Sequence, residues 1–216
     1  MKKSPLITWI VILVALLPAA YLGIVGNELP KNVPVHFGAD MKPDRIGDKD
    51  ELWLVTGILA IVSIGVYFLL NNLYRIDPKQ KGKPRLSIFN KLAAGIVVFI
   101  SALNFIIILS AKGTMAMQNL LFPLLGLLFA FIGNYMHTIR PNYFAGLRLP
   151  WTLSSDDNWR KTHQLAGKLW FAGGMLIAVV SLFLSPTAML PLFIVLIVVM
   201  TIIPTIYSYR LFKQHA

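Results

Sequence analysis

Cysteine is absent from all 216 residues, which excludes disulfide frameworks, thiolate nucleophiles and cysteine metal sites. Charge is scarce as well: 13% of the chain is Asp, Glu, Lys or Arg, about half the ~25% of an average soluble domain. Nine acids stand against twenty Lys and Arg. No H-E-x-x-H, Walker A, G-x-S-x-G or dinucleotide fingerprint occurs. What fills the space is apolar: 56% of the residues, with a mean hydropathy of +0.68. A soluble core of this size would leave wide greasy patches on its surface, so soluble enzyme folds drop out and a membrane protein is expected.

Six apolar runs occupy 6–25, 52–73, 92–111, 119–136, 169–184 and 189–207, and all 29 charged residues fall outside them. A charge at mid-bilayer costs about 2.5–3.5 kcal/mol on insertion scales, so this partition reads as lipid spans. Runs of this length without alternation predict helices rather than barrel strands. Alternate connecting segments carry fifteen Lys and Arg on one side and five on the other. The positive-inside rule places the fifteen in the cytoplasm. The expected architecture is therefore an all-α integral membrane protein with six spans and both termini cytoplasmic. Lys2 and Lys3 before an apolar run ending Pro18-Ala19-Ala20 have a signal-peptide flavour, but the run is too long for a typical h-region. The net charge of +11 follows from orientation and contact with anionic lipid; direct nucleic-acid binding is not implied. Pro18, Pro123, Pro191 and Pro204 sit in or beside spans as packing features.

Two connections stand out. The outer loop, 26–51, holds six of the nine acids and, at 26 residues, is long enough to be ordered. Pro30, Pro34 and Pro43 punctuate β-prone Val33, Val35 and Phe37. Its acid spacing is not that of an EF-hand, and His36 near Asp40 and Asp44 lacks clustered partners for zinc, so a solvated acidic loop is the simpler expectation. The fourth loop, 137–168, brackets an extended piece between Pro141 and Pro150, with Gly146 at a turn. Ser154 and Asp157 have capping-box-like spacing before a helix that would carry Trp159, His163 and Gly167 on one face. That helix is expected to lie along the membrane surface before turning into the fifth span near Leu165, with Lys168 snorkelling. Tyr143, Phe144, Trp151 and Trp159 among Arg140, Arg148, Arg160 and Lys161 suit a headgroup-contacting element or a docking face. The second loop has a Lys-Gln-Lys-Gly-Lys-Pro-Arg core and reads as an orientation determinant. Asn71, Asn72, Asn104 and Asn134 are expected to hydrogen-bond between helices; ionisable groups within the spans are missing, which disfavours proton-coupled transport.

Arg140-Pro-Asn-Tyr-Phe-Ala-Gly-Leu-Arg148, Pro150-Trp-Thr-Leu-Ser-Ser155 and Asn158-Trp-Arg-Lys-Thr-His163 resemble the signature of the SdpI family of bacterial membrane immunity proteins. Leu29-Pro-Lys-Asn-Val-Pro-Val-His-Phe37 and Pro43-Asp-Arg-Ile-Gly-Asp-Lys49 look like the N-terminal domain often fused to it. Leu149 stands where Thr is usual, and Met41 replaces a usual Gly. The resemblance implies an N-terminal two-helix unit (1–73), a basic loop (74–91) and a four-helix unit (92–216). It implies protection from a secreted antimicrobial peptide, and a receptor role in which a small winged-helix repressor is held at the membrane. No catalysis and no cofactor or metal are implied. The candidate interaction residues are Arg140, Pro141, Asn142, Gly146, Arg148, Pro150, Trp151, Thr152, Trp159 and His163 inside, and Pro30, Pro34, His36, Phe37, Asp44, Arg45 and Gly47 outside. Rival readings are a small-solute transporter or channel with a path past Asn71, Asn104 and Asn134, and an inner-face membrane enzyme using His163 or Asp157.

Overall fold

The computed structural model describes residues 5–38, 42–79, 87–114 and 117–214. Lys2, Lys3, Asp40, Met41 and most of the basic core of the second loop lie outside the described residues. Helices α1 (Pro5–Val25), α2 (Glu51–Ile76), α3 (Ser87–Ala111), α4 (Met117–Met136), α6 (Asp156–Val180) and α7 (Pro186–Gln214) are long and apolar enough to cross a membrane. The shortest, at 20 residues, rises roughly 30 Å, the thickness of a hydrocarbon core. Pro18, Pro123, Pro191 and Pro204 all lie inside continuous helices. Large apolar side chains such as Leu6, Ile61 and Phe183 remain exposed on the bundle, as lipid-facing positions require.

The outer loop is ordered, and not helical. β1 (Asn32–Phe37) and β2 (Pro43–Asp48) form an antiparallel hairpin, closed by the Gly38 amide donating to the Lys42 carbonyl at 2.9 Å. Leu29 and Val33 bury against Leu22, Val25, Leu52, Ile108 and Ala111, so the hairpin sits on the ends of α1, α2 and α3. This is the hairpin end of the molecule. The opposite end is built from Leu73, Ile88, Phe89, Leu92, Ile139 and Trp159 and carries the fourth loop; we call it the motif end.

Between them the helices meet through small and polar residues. Thr56 of α2 donates its hydroxyl to Asn104 Oδ1 of α3 at 3.1 Å, and Ser101 donates to the Val14 carbonyl of α1 at 2.8 Å. Asn104 thus bridges helices as expected; Asn72 donates within α2 to the Phe68 carbonyl, and Asn71 donates one bond to the Tyr67 carbonyl of the same helix.

The closest crossing is α4 against α6. A Cβ on Gly126 would stand 2.4 Å from the Ala178 nitrogen and one on Gly174 2.3 Å from the Ala130 nitrogen. One on Gly133 would stand 2.4 Å from the Phe171 nitrogen, and one on Gly167 2.8 Å from the Gly133 carbonyl oxygen. Two glycine pairs, Gly126 with Gly174 and Gly133 with Gly167, therefore bring the two backbones into contact. Lipid gives helices no hydrophobic reason to associate, and close van der Waals approach takes its place.

Two expectations about the fourth loop are corrected. The stretch bearing Trp159 and His163 is not a separate helix laid along the membrane: it is the first part of one continuous α6. Proline is absent from 156–180, and Gly167, two residues past the turn expected near Leu165, is packed against α4. The helix ends at Val180, before the apolar run does, and Ser181–Leu184 form turns. The cap is also one residue later than the spacing suggested. Ser155, not Ser154, accepts the Asn158 amide; Ser154 belongs to a short helix, α5 (Pro150–Ser154), with Pro150 in its first position where the missing N–H costs nothing.

Candidate functional site

At the motif end the loop between α4 and α6 folds onto its own side chains. Asn142 is fully buried and uses its whole amide. Oδ1 accepts from the Phe144 and Ala145 amides at 2.8 and 2.7 Å, and Nδ2 donates to the Arg140 and Ala145 carbonyls at 2.9 and 3.0 Å. An Asn side chain does this because its short amide mimics a turn of backbone. Four residues on, Gly146 adopts φ +105°, and a Cβ there would meet His163 Nε2 at 2.3 Å. Glycine is thus required twice, by conformation and by space.

His163 closes the loop. Its Nε2 accepts the Leu147 amide at 3.0 Å, and its Nδ1 lies 2.8 Å from the Trp159 carbonyl. An acceptor at Nε2 and a carbonyl facing Nδ1 fix the neutral Nδ1–H tautomer. The ring stacks on Trp159, centroids 4.0 Å apart and planes 17° from parallel. With both nitrogens engaged and the residue buried, His163 is a loop-locking group. Trp159 is equally committed: it is buried, and its indole N–H donates to the Ile139 carbonyl at 2.7 Å. Its expected use as a lipid anchor is therefore corrected; Tyr143 and Phe144 are the exposed aromatics of this loop.

Thr152 accepts the Leu149 amide at 2.9 Å and lies 2.7 Å from the Leu147 carbonyl. Its hydroxyl serves the backbone beside Leu149, where the usual threonine is missing. Trp151 donates to the Ser208 hydroxyl at 2.9 Å, and Asn158 donates to the Ser208 carbonyl at the same distance, tying the loop and α6 to α7. Arg148 reaches the Tyr143 carbonyl at 2.6 Å. Arg140 is exposed and Pro141 half-buried. Asp157 pairs with Arg160 and Lys161 at 2.6 and 2.7 Å.

Sequence reasoning missed Asp77. It is buried, 1% exposed, and accepts the Tyr143 amide at 3.1 Å and the Lys79 amide at 2.9 Å. Lys79 in turn donates to the Leu153 carbonyl. The second loop is thus fastened to the fourth, and the signal for it was a single acid in an otherwise basic segment. Ser208 and the glycine pairs of α4 and α6 were also overlooked; their seven-residue spacing was the trace they left.

At the hairpin end His36 pairs with Asp44, Nδ1 to Oδ1 2.6 Å, both exposed. Arg45 donates to Glu51 at 2.7 Å, and a Cβ on Gly47 would strike that carboxylate at 2.3 Å. Pro34 and Phe37 are half-buried and Pro30 exposed. Lys49 holds the Gly26 carbonyl at 2.8 Å, and Lys112 pairs with Glu28, whose carboxylate holds the ammonium above the ordinary lysine range. An apolar cleft of about 320 Å³ lies between β1 and the ends of α2, α3 and α4, with Val35, Phe37, Leu52, Val55, Ile107 and Leu121 in its walls. Among the described residues no group of His and acids is arranged to hold a metal ion.

Residues 138–208 match the SdpI/YfhL protein family. The resemblance to the SdpI family holds. Its matched segment runs from the start of the fourth loop to Ser208, the residue on which Trp151 and Asn158 converge. Residues 13–60 match a domain of unknown function, DUF1648, which covers the second half of α1, the hairpin and the first turns of α2. The chain is 27% identical to the Immunity protein SdpI of Bacillus subtilis (strain 168) over 215 residues, 99% of this chain and 98% of that protein. No solved structure matches it significantly.

Proposed function

We propose that this chain is a multi-pass immunity protein of the bacterial plasma membrane, protecting its cell from a secreted antimicrobial peptide. The observation that carries the reading is the full-length likeness to a relative named Immunity protein SdpI. Six helices fit to cross a membrane support the location. In this reading the N-terminal unit, 1–73, presents the hairpin outward, the basic loop 74–91 lies inside, and 92–216 forms the second unit, with both termini cytoplasmic.

The peptide meets the hairpin end. There the apolar cleft beside Val35 and Phe37 accepts its greasy side chains, and exposed Asp44 pairs with His36 of the cleft wall. The motif end has a different task. Its residues spend their hydrogen bonds on the loop itself, which argues for a rigid platform and against catalysis. Exposed Arg140, Tyr143, Phe144 and Arg148 supply the aromatic and guanidinium groups that interfaces favour. A winged-helix repressor held there by the peptide-bound protein is the signalling version of the same reading.

The test is protection. Expression in a sensitive bacterium, followed by challenge with the secreted peptide of the producing strain, is expected to raise survival. Unaltered killing at equal membrane expression contradicts the proposal. If the motif end serves signalling alone, Arg148→Ala leaves protection intact and abolishes induction of a repressor-controlled reporter.

A further inference from the structure

A second cavity, of about 500 Å³, opens between α4 and α6 at the motif end. Its floor is the contact of Gly133 with Gly167. Its walls carry Asn134 and His137 on one side and Gln164, Lys168 and Phe171 on the other. These four polar side chains are exposed, and none has a hydrogen-bond or ion-pair partner among the described residues. Each can donate, and no acid lines the space. The neighbouring cations differ: Arg160 and Lys161 both pair with Asp157.

Position gives the cavity its meaning. Lys168 is the last charge on α6 before the uninterrupted apolar run that starts at Leu169. A helix passes from headgroups to hydrocarbon where its last charge stands. Phe171, one turn deeper, is 47% exposed and faces the acyl region. A cationic, donor-rich hollow at headgroup level above an exposed apolar ring matches the two halves of a phospholipid.

We propose that this cavity binds the headgroup of an anionic phospholipid. The phosphodiester sits against the Lys168 ammonium, with the His137 ring as a further hydrogen-bonding group on the opposite wall. The Asn134 and Gln164 amides donate to phosphate oxygens and bond the headgroup hydroxyls, and an acyl chain runs past Phe171. Basic pockets between membrane helices bind anionic headgroups by this combination of charge and donors. The lipid would bridge α4 and α6 beside their closest crossing and so brace the helix that carries His163.

The experiment is native mass spectrometry of the full chain, released from detergent containing equal phosphatidylglycerol and phosphatidylcholine. Retention of phosphatidylglycerol is expected to exceed that of phosphatidylcholine about fivefold, the worth of one lysine at the membrane surface. Lys168→Gln brings the two to parity, whereas Lys161→Gln, already paired to Asp157, leaves the preference in place. Gln164→Leu keeps the charge, removes an amide and weakens retention in part; it carries the test if Lys168→Gln does not fold. Millimolar inorganic phosphate does not displace the lipid. Parity in the unaltered chain overturns the proposal. Equal loss in Lys161→Gln also overturns it, since diffuse surface charge then suffices. Displacement by phosphate overturns the lipid assignment in favour of a soluble anion.

Discussion

Gly146 and His163 depend on one another, and each is explained only by the other. The glycine leaves room for the ring, and the ring accepts the amide of the residue that follows the glycine. Gly146→Ala combines a left-handed φ with a Cβ 2.3 Å from Nε2. A left-handed conformation alone costs about 1–2 kcal/mol in a side-chain-bearing residue, and the clash adds to it, so thermal melts in detergent should show a clear loss of stability. Trp159→Phe keeps a ring for stacking but strands the buried Ile139 carbonyl. An unpaired buried group costs about 1–3 kcal/mol, which the same melt reads. The pair of Glu28 with Lys112 gives a pH prediction. The folded-state value of Lys112 is raised, so the pair's contribution is complete below the ordinary lysine range. It is lost as pH climbs through the raised value. In Glu28→Gln the ammonium should deprotonate earlier, seen as faster acylation of Lys112 near the ordinary lysine range. At this scale turn chemistry singled out Gly146 and helix spacing His163, while Asn142 and Thr152 were marked only by the resemblance to the SdpI family signature. The sequence did not reveal Asp77, whose long-range partner, the Tyr143 amide, comes from another loop and leaves no local pattern.

Among the elements, α6 teaches most about the limits of the linear reading. Its polar first turns and apolar remainder look like two helices with different addresses. They are one, because a helix is interrupted by backbone chemistry and not by a change of hydropathy. Nothing between Asp156 and Val180 breaks the ladder. Gly167, a residue that could admit a bend, is held against the Gly133 carbonyl of α4. The off-by-one cap has a related origin: two serines stand side by side, and only folding of α5 decides which one is free to cap. The hairpin was legible in part, since prolines and β-branched residues marked Val33–Phe37; its pairing partner, rich in charge, was not marked. The glycine crossing can be tested by contrast. Gly133→Leu and Gly174→Leu force α4 and α6 apart and should abolish the folded fraction in size-exclusion profiles. Gly57→Ala, with nothing within 4 Å of the new methyl, should leave the profile intact and stabilise slightly, by up to about 1 kcal/mol on helix propensity. Gly173→Ala meets only the flexible Met200 side chain and should fall between them.

For the molecule as a whole, two ends with different chemistry are held apart by six apolar helices. The hairpin end offers a cleft lined by Val35 and Phe37 and a set of exposed ion pairs. The motif end offers a loop fixed by Asn142, Thr152, Trp159 and His163, fastened to the second loop by Asp77 and to α7 by Ser208. Hydropathy alone marked six spans, because the exclusion of charge from lipid acts on every residue separately. Packing at either end was hidden, because it depends on which side chains meet in space. The division of labour under the immunity reading rests on which end faces outward. Ile46 and Ser154 are exposed, one at each end, and the native chain contributes no cysteine background. Single-cysteine variants Ile46→Cys and Ser154→Cys, treated in intact cells with a membrane-impermeant maleimide, test the account most directly. Labelling at 46, with labelling at 154 only after the cells are opened, is the predicted result; labelling of 154 in intact cells would contradict it.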